Sequence, residues 1–104
     1  FGPVLTVQRF GDDSPEVLAA RANDSVYGLS AYVSAPDLDH ARRIARRLRA
    51  GMVHLNGAPL DNKAPFGGYK QSGIGREGGK EGLMPFLETK TVILDAKPAS
   101  LDVF

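Results

Sequence analysis

The residues that could carry chemistry in this chain concentrate in one glycine-dense run, residues 64–83. Within it, Gly73-Ile-Gly75-Arg-Glu-Gly78 matches the G-x-G-x-x-G pattern that binds the pyrophosphate of a dinucleotide at the start of a helix. That fingerprint must follow directly on a buried strand, and residues 67–72 begin with two glycines and cannot form one. A P-loop also fails, because Glu81 stands after Gly79-Lys80 where Ser or Thr would hold the metal.

The run is nevertheless too irregular to be a flexible linker. Aromatic and charged residues interrupt it at uneven steps, whereas Gly/Ser linkers are polar and repetitive. These residues are Phe66, Tyr69, Lys70, Arg76 and Glu77. We therefore predict an ordered loop that leads into a helix, with glycines where the backbone passes close to other groups.

Other chemistries find little support in the composition. The absence of cysteine excludes disulfides, thiolate metal sites and a cysteine nucleophile within this chain. His40 and His54 lie far apart and lack the spacing of metal ligands, so no metal site is expected.

Five arginines cluster in one predicted helix and could form a stripe that follows nucleic-acid phosphates. They are Arg42, Arg43, Arg46, Arg47 and Arg49. The chain's net charge is only +1, no aromatic residues lie among the arginines, and cations near a helix C-terminus oppose its dipole favourably. We expect a solvated helix face and no nucleic-acid partner.

The elements that position these residues alternate between strands and helices, which predicts an α/β fold with a parallel or mixed sheet and flanking helices. The predicted strands cover residues 4–10, 29–34, 52–56 and 91–94. The predicted helices cover residues 15–23, 35–50 and 78–88, and a long loop covers residues 57–72. The last strand is short, apolar and alone, so it needs a sheet edge that another chain could supply.

Three motifs in this order resemble the C-terminal end of the NAD(P)-dependent aldehyde dehydrogenase family. They are Gly51-Met-Val-His-Leu-Asn56, the run from Ala64 to Glu77, and Leu87-Glu-Thr-Lys-Thr-Val92. Phe1-Gly-Pro-Val4, Ala22-Asn-Asp24 and Tyr27-Gly-Leu29 fit the same family in the same order. The resemblance covers residues 1 to about 95.

The resemblance implies an enzyme that oxidises a small aldehyde to a carboxylic acid with NAD or NADP as cofactor. A cysteine forms a thiohemiacetal, which passes a hydride to the cofactor, and a glutamate activates the water that hydrolyses the thioester. Both residues would lie upstream of Phe1, so we expect this chain to be a segment of a longer polypeptide and inactive alone. The alternative is a free-standing, non-catalytic assembly or binding module derived from this family.

The resemblance also assigns residues. Phe1 corresponds to a phenylalanine beside the nicotinamide, and Phe66, Leu60 and Asp61 become candidates for the aldehyde pocket. The expected interface residues are Arg76, Glu88, Thr91, Val92, Ile93 and Leu94.

The implied organisation has four parts. These are the end of the catalytic domain (1–70), a glycine-rich crossing and helix (71–88), an oligomerisation strand (89–96) and a tail (97–104). The expected partners are the remainder of the polypeptide and further copies in a homodimer or homotetramer, with no membrane partner and a cytoplasmic location.

Overall fold

The computed structural model describes residues 2–94 of this chain as a small α/β arrangement. Two helices and two pairs of short strands form its framework, and a five-residue helix forms the end of the glycine run. In chain order the elements are α1 (Pro15–Asn23), β1 (Tyr27–Gly28), β2 (Ser30–Val33), α2 (Leu38–Ala45), β3 (Met52–Leu55), β4 (Tyr69–Lys70) and α3 (Gly79–Leu83). A single turn of 3-10 helix over Met84–Phe86 follows α3.

The unit β2–α2–β3 forms the centre, and its two strands pair in parallel. Ser30 lies opposite Met52 and Val33 lies opposite Leu55. Helix α2 begins at Leu38 because Asp37 caps it, accepting hydrogen bonds from the amides of Asp39 (2.8 Å) and His40 (3.2 Å). The predicted parallel strand–helix–strand unit is therefore confirmed.

The core lies between this sheet and the two helices. Val33, Ala41 and Ile44 form the buried cluster, and Ala19 of α1 is the fourth buried apolar residue in the described part of the chain. Five half-buried residues pack around the cluster, namely Leu18, Ala35, Leu48, Val53 and Leu55. Burying these aliphatic side chains is the main stabilisation available to so small a core.

Polar contacts hold α1 against the end of α2. The side chain of Asn23 donates to the Arg47 carbonyl (2.8 Å) and accepts from the Arg49 amide (2.7 Å). Arg47 also forms an ion pair with Glu16. Two arginines of the predicted cluster thus contact α1, and both lie after the end of α2 at Ala45, so the prediction of all five arginines in one helix was wrong.

The opposite face of the parallel pair carries a stacked aromatic pair. Tyr32 and His54 lie opposite each other in the register, with ring centroids 4.7 Å apart and planes 14° apart. Tyr32 is 73% exposed, so this face has no cover within the described residues.

Several predictions were wrong in detail. Residues 4–10 form no strand, because they pair with no other segment of the described chain. Residues 91–94 also pair with no segment within residues 2–94, and their pairing with a neighbouring chain stays a prediction. The predicted loop over residues 57–72 contains β4, which pairs antiparallel with β1. The second helix ends at Ala45, before residue 50, and the predicted helix over 78–88 is split between α3 and the 3-10 turn.

The helices are short. The longest in residues 2–94 has nine residues, and none of those described could span a bilayer.

Candidate functional site

Residues 66–77 of the glycine run form a loop that is closed by backbone hydrogen bonds between its two end residues. Phe66 and Glu77 exchange both backbone hydrogen bonds, each 2.7 Å long. Residues 67–76 lie between these two bonds, and Gly78, with a φ of 66°, starts α3 directly afterwards. The run is therefore a shaped loop that leads into a helix, as the sequence predicts.

Close backbone approach explains several of its glycines. A Cβ atom on Gly67 would lie 2.5 Å from the carbonyl oxygen of Gly75, and one on Gly68 would lie 2.6 Å from the Ser72 Cβ. A Cβ atom on Gly51 would overlap the carbonyl of Gly67. The prediction that these glycines permit tight backbone passage is confirmed.

Arg76 stabilises the loop through contacts with other residues of the same loop. Its Nη1 donates to the carbonyl oxygens of Gly75 (2.6 Å) and Gly68 (3.0 Å), and its guanidinium lies 5.4 Å from the centre of the Tyr69 ring. The planar fork of arginine suits this combined donation and stacking. The structure thus places Arg76, expected at a subunit interface, half-buried among the glycines of its own loop.

Lys70 and Ser72 attach the same loop to the main body. The Lys70 ammonium donates to the carbonyls of Asn23 (2.8 Å) and Ser25 (2.9 Å), at the C-terminal end of α1. A cation at this end of a helix is favoured by the helix dipole. The Ser72 hydroxyl accepts from the Gly28 amide at 2.9 Å.

The three predicted aldehyde-pocket residues line one cavity. Leu60 and Asp61 come from the loop after β3, and Phe66 comes from the start of the glycine run. The cavity has a volume of about 320 Å³ and is also lined by Asn62, Ala64, Glu77 and Gly78. This volume is at the lower end of the range for small-molecule pockets.

A second cavity lies on another side of Phe66. It also measures about 320 Å³ and is lined by Leu29, Phe66, Gly67, Gly68 and residues 72–77. Phe66 and Glu77 therefore contribute to both cavities. The sequence prediction missed Leu29 and Glu77, because only the closure of residues 66–77 brings them to these walls.

Two carboxylate residues, Asp61 and Glu77, line the first cavity. Residues 2–94 contain no group of three or more His, Asp or Glu side chains that could hold a metal ion. Hydrogen bonds from the backbone amides of His40 and Asp39 lower the pKa of Asp37, which caps α2 outside the two cavities. The first cavity therefore offers both apolar and carboxylate surface to a small molecule.

The other predicted residues are not brought to the cavities. Glu88 is exposed, and no ion pair joins it to Arg76 in the described chain. Val92, Ile93 and Leu94 are 73%, 88% and 70% exposed, and Thr91 beside them is exposed too. Phe1 and the predicted tail, residues 97–104, lie outside the described residues.

The sequence model of the Aldehyde dehydrogenase family matches residues 1–92 of this chain. The chain belongs to the aldehyde dehydrogenase family. It is 58% identical over 93 residues to a 3-succinoylsemialdehyde-pyridine dehydrogenase of a Pseudomonas species, covering 89% of this chain and 19% of that protein. It is 48% identical over 105 residues to the betaine aldehyde dehydrogenase of Bacillus subtilis, covering 100% of this chain and 21% of that protein.

Solved structures agree with this assignment. The crystal structure of the Staphylococcus aureus betaine aldehyde dehydrogenase in complex with NAD+ superimposes with a TM-score of 0.80 at 43% identity. The match covers 99% of this chain and 20% of that one. The aldehyde dehydrogenase chain described here thus spans about a fifth of the length of these relatives.

Proposed function

We propose that this chain is the C-terminal segment of an NAD(P)-dependent aldehyde dehydrogenase that oxidises an aldehyde to a carboxylic acid. The balanced reaction consumes aldehyde, water and NAD(P)+ and yields carboxylate, NAD(P)H and two protons. The observation that carries the proposal is the family match over residues 1–92, together with one cavity that contains Leu60, Asp61 and Phe66. The nucleophilic cysteine and the glutamate base would come from the remainder of the polypeptide.

The described residues do not fit the cofactor's pyrophosphate. The segment Gly73-Ile-Gly75-Arg-Glu-Gly78 follows the two-residue antiparallel strand β4 and a turn, where a dinucleotide site needs a buried parallel strand. When bound, NAD(P)+ accepts a hydride. We assign binding of this cofactor to residues outside 2–94, with Phe1 as this chain's one proposed contact. This chain's own part is to form one wall of the aldehyde pocket.

Within that wall, we assign apolar contact with the aldehyde to Phe66 and Leu60, and polar contact with it to Asp61. Phe66 and Leu60 offer apolar surface, which favours binding of the aldehyde's hydrocarbon part. The Asp61 carboxylate also accepts from the Lys63 amide at 2.9 Å, which holds the loop in its turn. We assign Arg76, Glu88 and residues 91–94 to the region between subunits, with residues 89–96 adding to a neighbouring sheet.

Phe66→Ala in the full-length protein tests the pocket assignment. We expect kcat/KM for the aldehyde to fall about tenfold, because an apolar binding surface is lost. Phe86→Ala is the matched control, since Phe86 is 85% exposed and lines neither cavity. Equal losses in both variants, measured from NAD(P)H formation, would contradict the pocket role.

The mass of the native subunit tests whether this chain is a segment of a longer polypeptide. The chain has a mass of 11.1 kDa, and its relatives imply a polypeptide about five times as large. A native subunit of 11.1 kDa would instead favour the free-standing assembly module.

The proposal further includes a homodimer or homotetramer in the cytoplasm, without nucleic-acid or membrane partners.

A further inference from the structure

Asn56 lies where strand β3 ends and the loop toward the aldehyde pocket begins. Its backbone has a φ of 49°, in the left-handed region that few residues other than glycine adopt. Asparagine is among the side chains that best tolerate this conformation. Asn56 therefore already bends the chain out of the sheet.

The Asn56 side chain continues the hydrogen-bond ladder of the parallel sheet by one rung. Its Oδ1 accepts from the Ala35 amide at 2.9 Å, and its Nδ2 donates to the Ala35 carbonyl at 3.1 Å. The backbone amide of Asn56 donates to the Val33 carbonyl at 2.9 Å. One residue thus binds the chain that leaves β2 and the end of β3 to each other, using both polar atoms of its amide.

The two residues after Asn56 complete the turn. Gly57 has a φ of 76°, and the Ala58 amide donates to the Leu55 carbonyl at 3.0 Å. The Nδ1 of His54 lies 2.8 Å from the Ala58 carbonyl oxygen, so it donates to that oxygen. The direction in which the chain enters residues 59–66 is set here, before any pocket residue is reached.

From these contacts we infer that Asn56 is the positioning residue for the pocket wall formed by Leu60, Asp61 and Phe66. It touches none of the cavity and acts only through the direction of the loop. The inference rests on the proposed function where it concerns the aldehyde, and on the observed contacts alone where it concerns the loop.

Three substitutions separate the roles of backbone and side chain. Asn56→Gly keeps the left-handed backbone and removes both side-chain hydrogen bonds. Asn56→Asp keeps the acceptor for the Ala35 amide but places a carboxylate oxygen against the Ala35 carbonyl. Asn56→Ala removes both bonds and also strains the backbone. The control is Asp37→Ala, which removes the cap of α2 and lowers stability away from the pocket.

The first measurement is steady-state kinetics of the full-length protein. We expect Asn56→Gly to raise KM for the aldehyde about fivefold with kcat nearly unchanged, because the loop samples other directions while the chemistry is untouched. Asn56→Asp should lie between Asn56→Gly and the unsubstituted protein. Asp37→Ala should lower the melting temperature and leave KM unchanged. A KM in Asn56→Gly no higher than in Asp37→Ala overturns the inference.

The second measurement is hydrogen exchange of the amides in residues 57–66, which needs no activity. We expect exchange about tenfold faster in Asn56→Gly than in the unsubstituted protein, with amides of α1 unchanged. If the full-length protein oxidises no aldehyde but this exchange rises, the proposed function fails and the positioning role stands. If exchange in this loop is unchanged, the positioning role fails whatever the activity.

Discussion

Phe66 lines two cavities and forms an isolated β-bridge with Glu77. The bonds between Phe66 and Glu77 fix its backbone, and Gly67 behind it passes against Gly75 and Arg76. Phe66 lines one cavity together with Leu60 and the other together with Leu29. A change in the position of Phe66 would thus alter both the proposed aldehyde pocket and the cavity beside residues 67–76.

We expect Gly67→Ala to destabilise the full-length protein by about 1–3 kcal/mol, the usual cost of an overpacked site. The new Cβ would lie 2.5 Å from a backbone oxygen and 2.9 Å from the Arg76 Cδ, so both the loop and the arginine must shift. Gly11→Ala is the control, since nothing lies within 4 Å of its added atom. Equal melting temperatures for the two variants would contradict the close crossing.

At the scale of elements, the sequence predicted those that depend on local signals. Helix α1 begins at Pro15 after its N-cap Ser14, as predicted, whereas α2 begins at Leu38 after its Asp37 cap, three residues later than predicted. Strand β4 was not predicted, because the two residues that follow a pair of glycines are too few to show the alternating pattern of a strand. Its pairing with β1 depends on Lys70 and Ser72 reaching residues more than forty positions away.

The cap of α2 predicts a pH dependence. Hydrogen bonds from the His40 and Asp39 amides lower the pKa of Asp37 below its ordinary value of 3.8. The resulting stabilisation is fully present above pH 3.8 and is lost as the pH falls through the lowered pKa of the folded protein. The amide side chain introduced by Asp37→Asn accepts the same bonds but has no charge to lose.

Thermal melts of both proteins across this acid range measure the effect. We expect the unsubstituted protein to melt higher than Asp37→Asn at neutral pH, and the difference to shrink at acid pH. Added salt should reduce the difference, because the site is exposed. Asp13→Asn controls for the loss of one surface charge outside the helix. A difference that is constant with pH would contradict the assignment.

At the scale of the molecule, the described residues bury little and expose much. Four apolar residues are buried, whereas Val4, Leu5 and Val7 are each more than 80% exposed. The β-branched and apolar character of this segment predicted a strand, but a strand exists only where a partner offers its edge. The sequence therefore identifies segments with strand character, and residues 4–10 find no strand partner within residues 2–94.

We expect the isolated chain to associate in solution, because apolar strand-forming segments such as residues 91–94 are open to pairing. Ile93→Lys should reduce association in sedimentation experiments, since Ile93 is 88% exposed in that segment. Ile74→Lys is the matched control, as Ile74 is 100% exposed within the glycine loop. A monodisperse monomer before any substitution would contradict this expectation.

The stacked pair of Tyr32 and His54 has a spectroscopic consequence. The pair exists only in the observed register, because a slip of one residue would turn His54 to the other face of the sheet. Ring-current shifts of the His54 protons in a nuclear magnetic resonance spectrum would thus report directly whether the two parallel strands are in place.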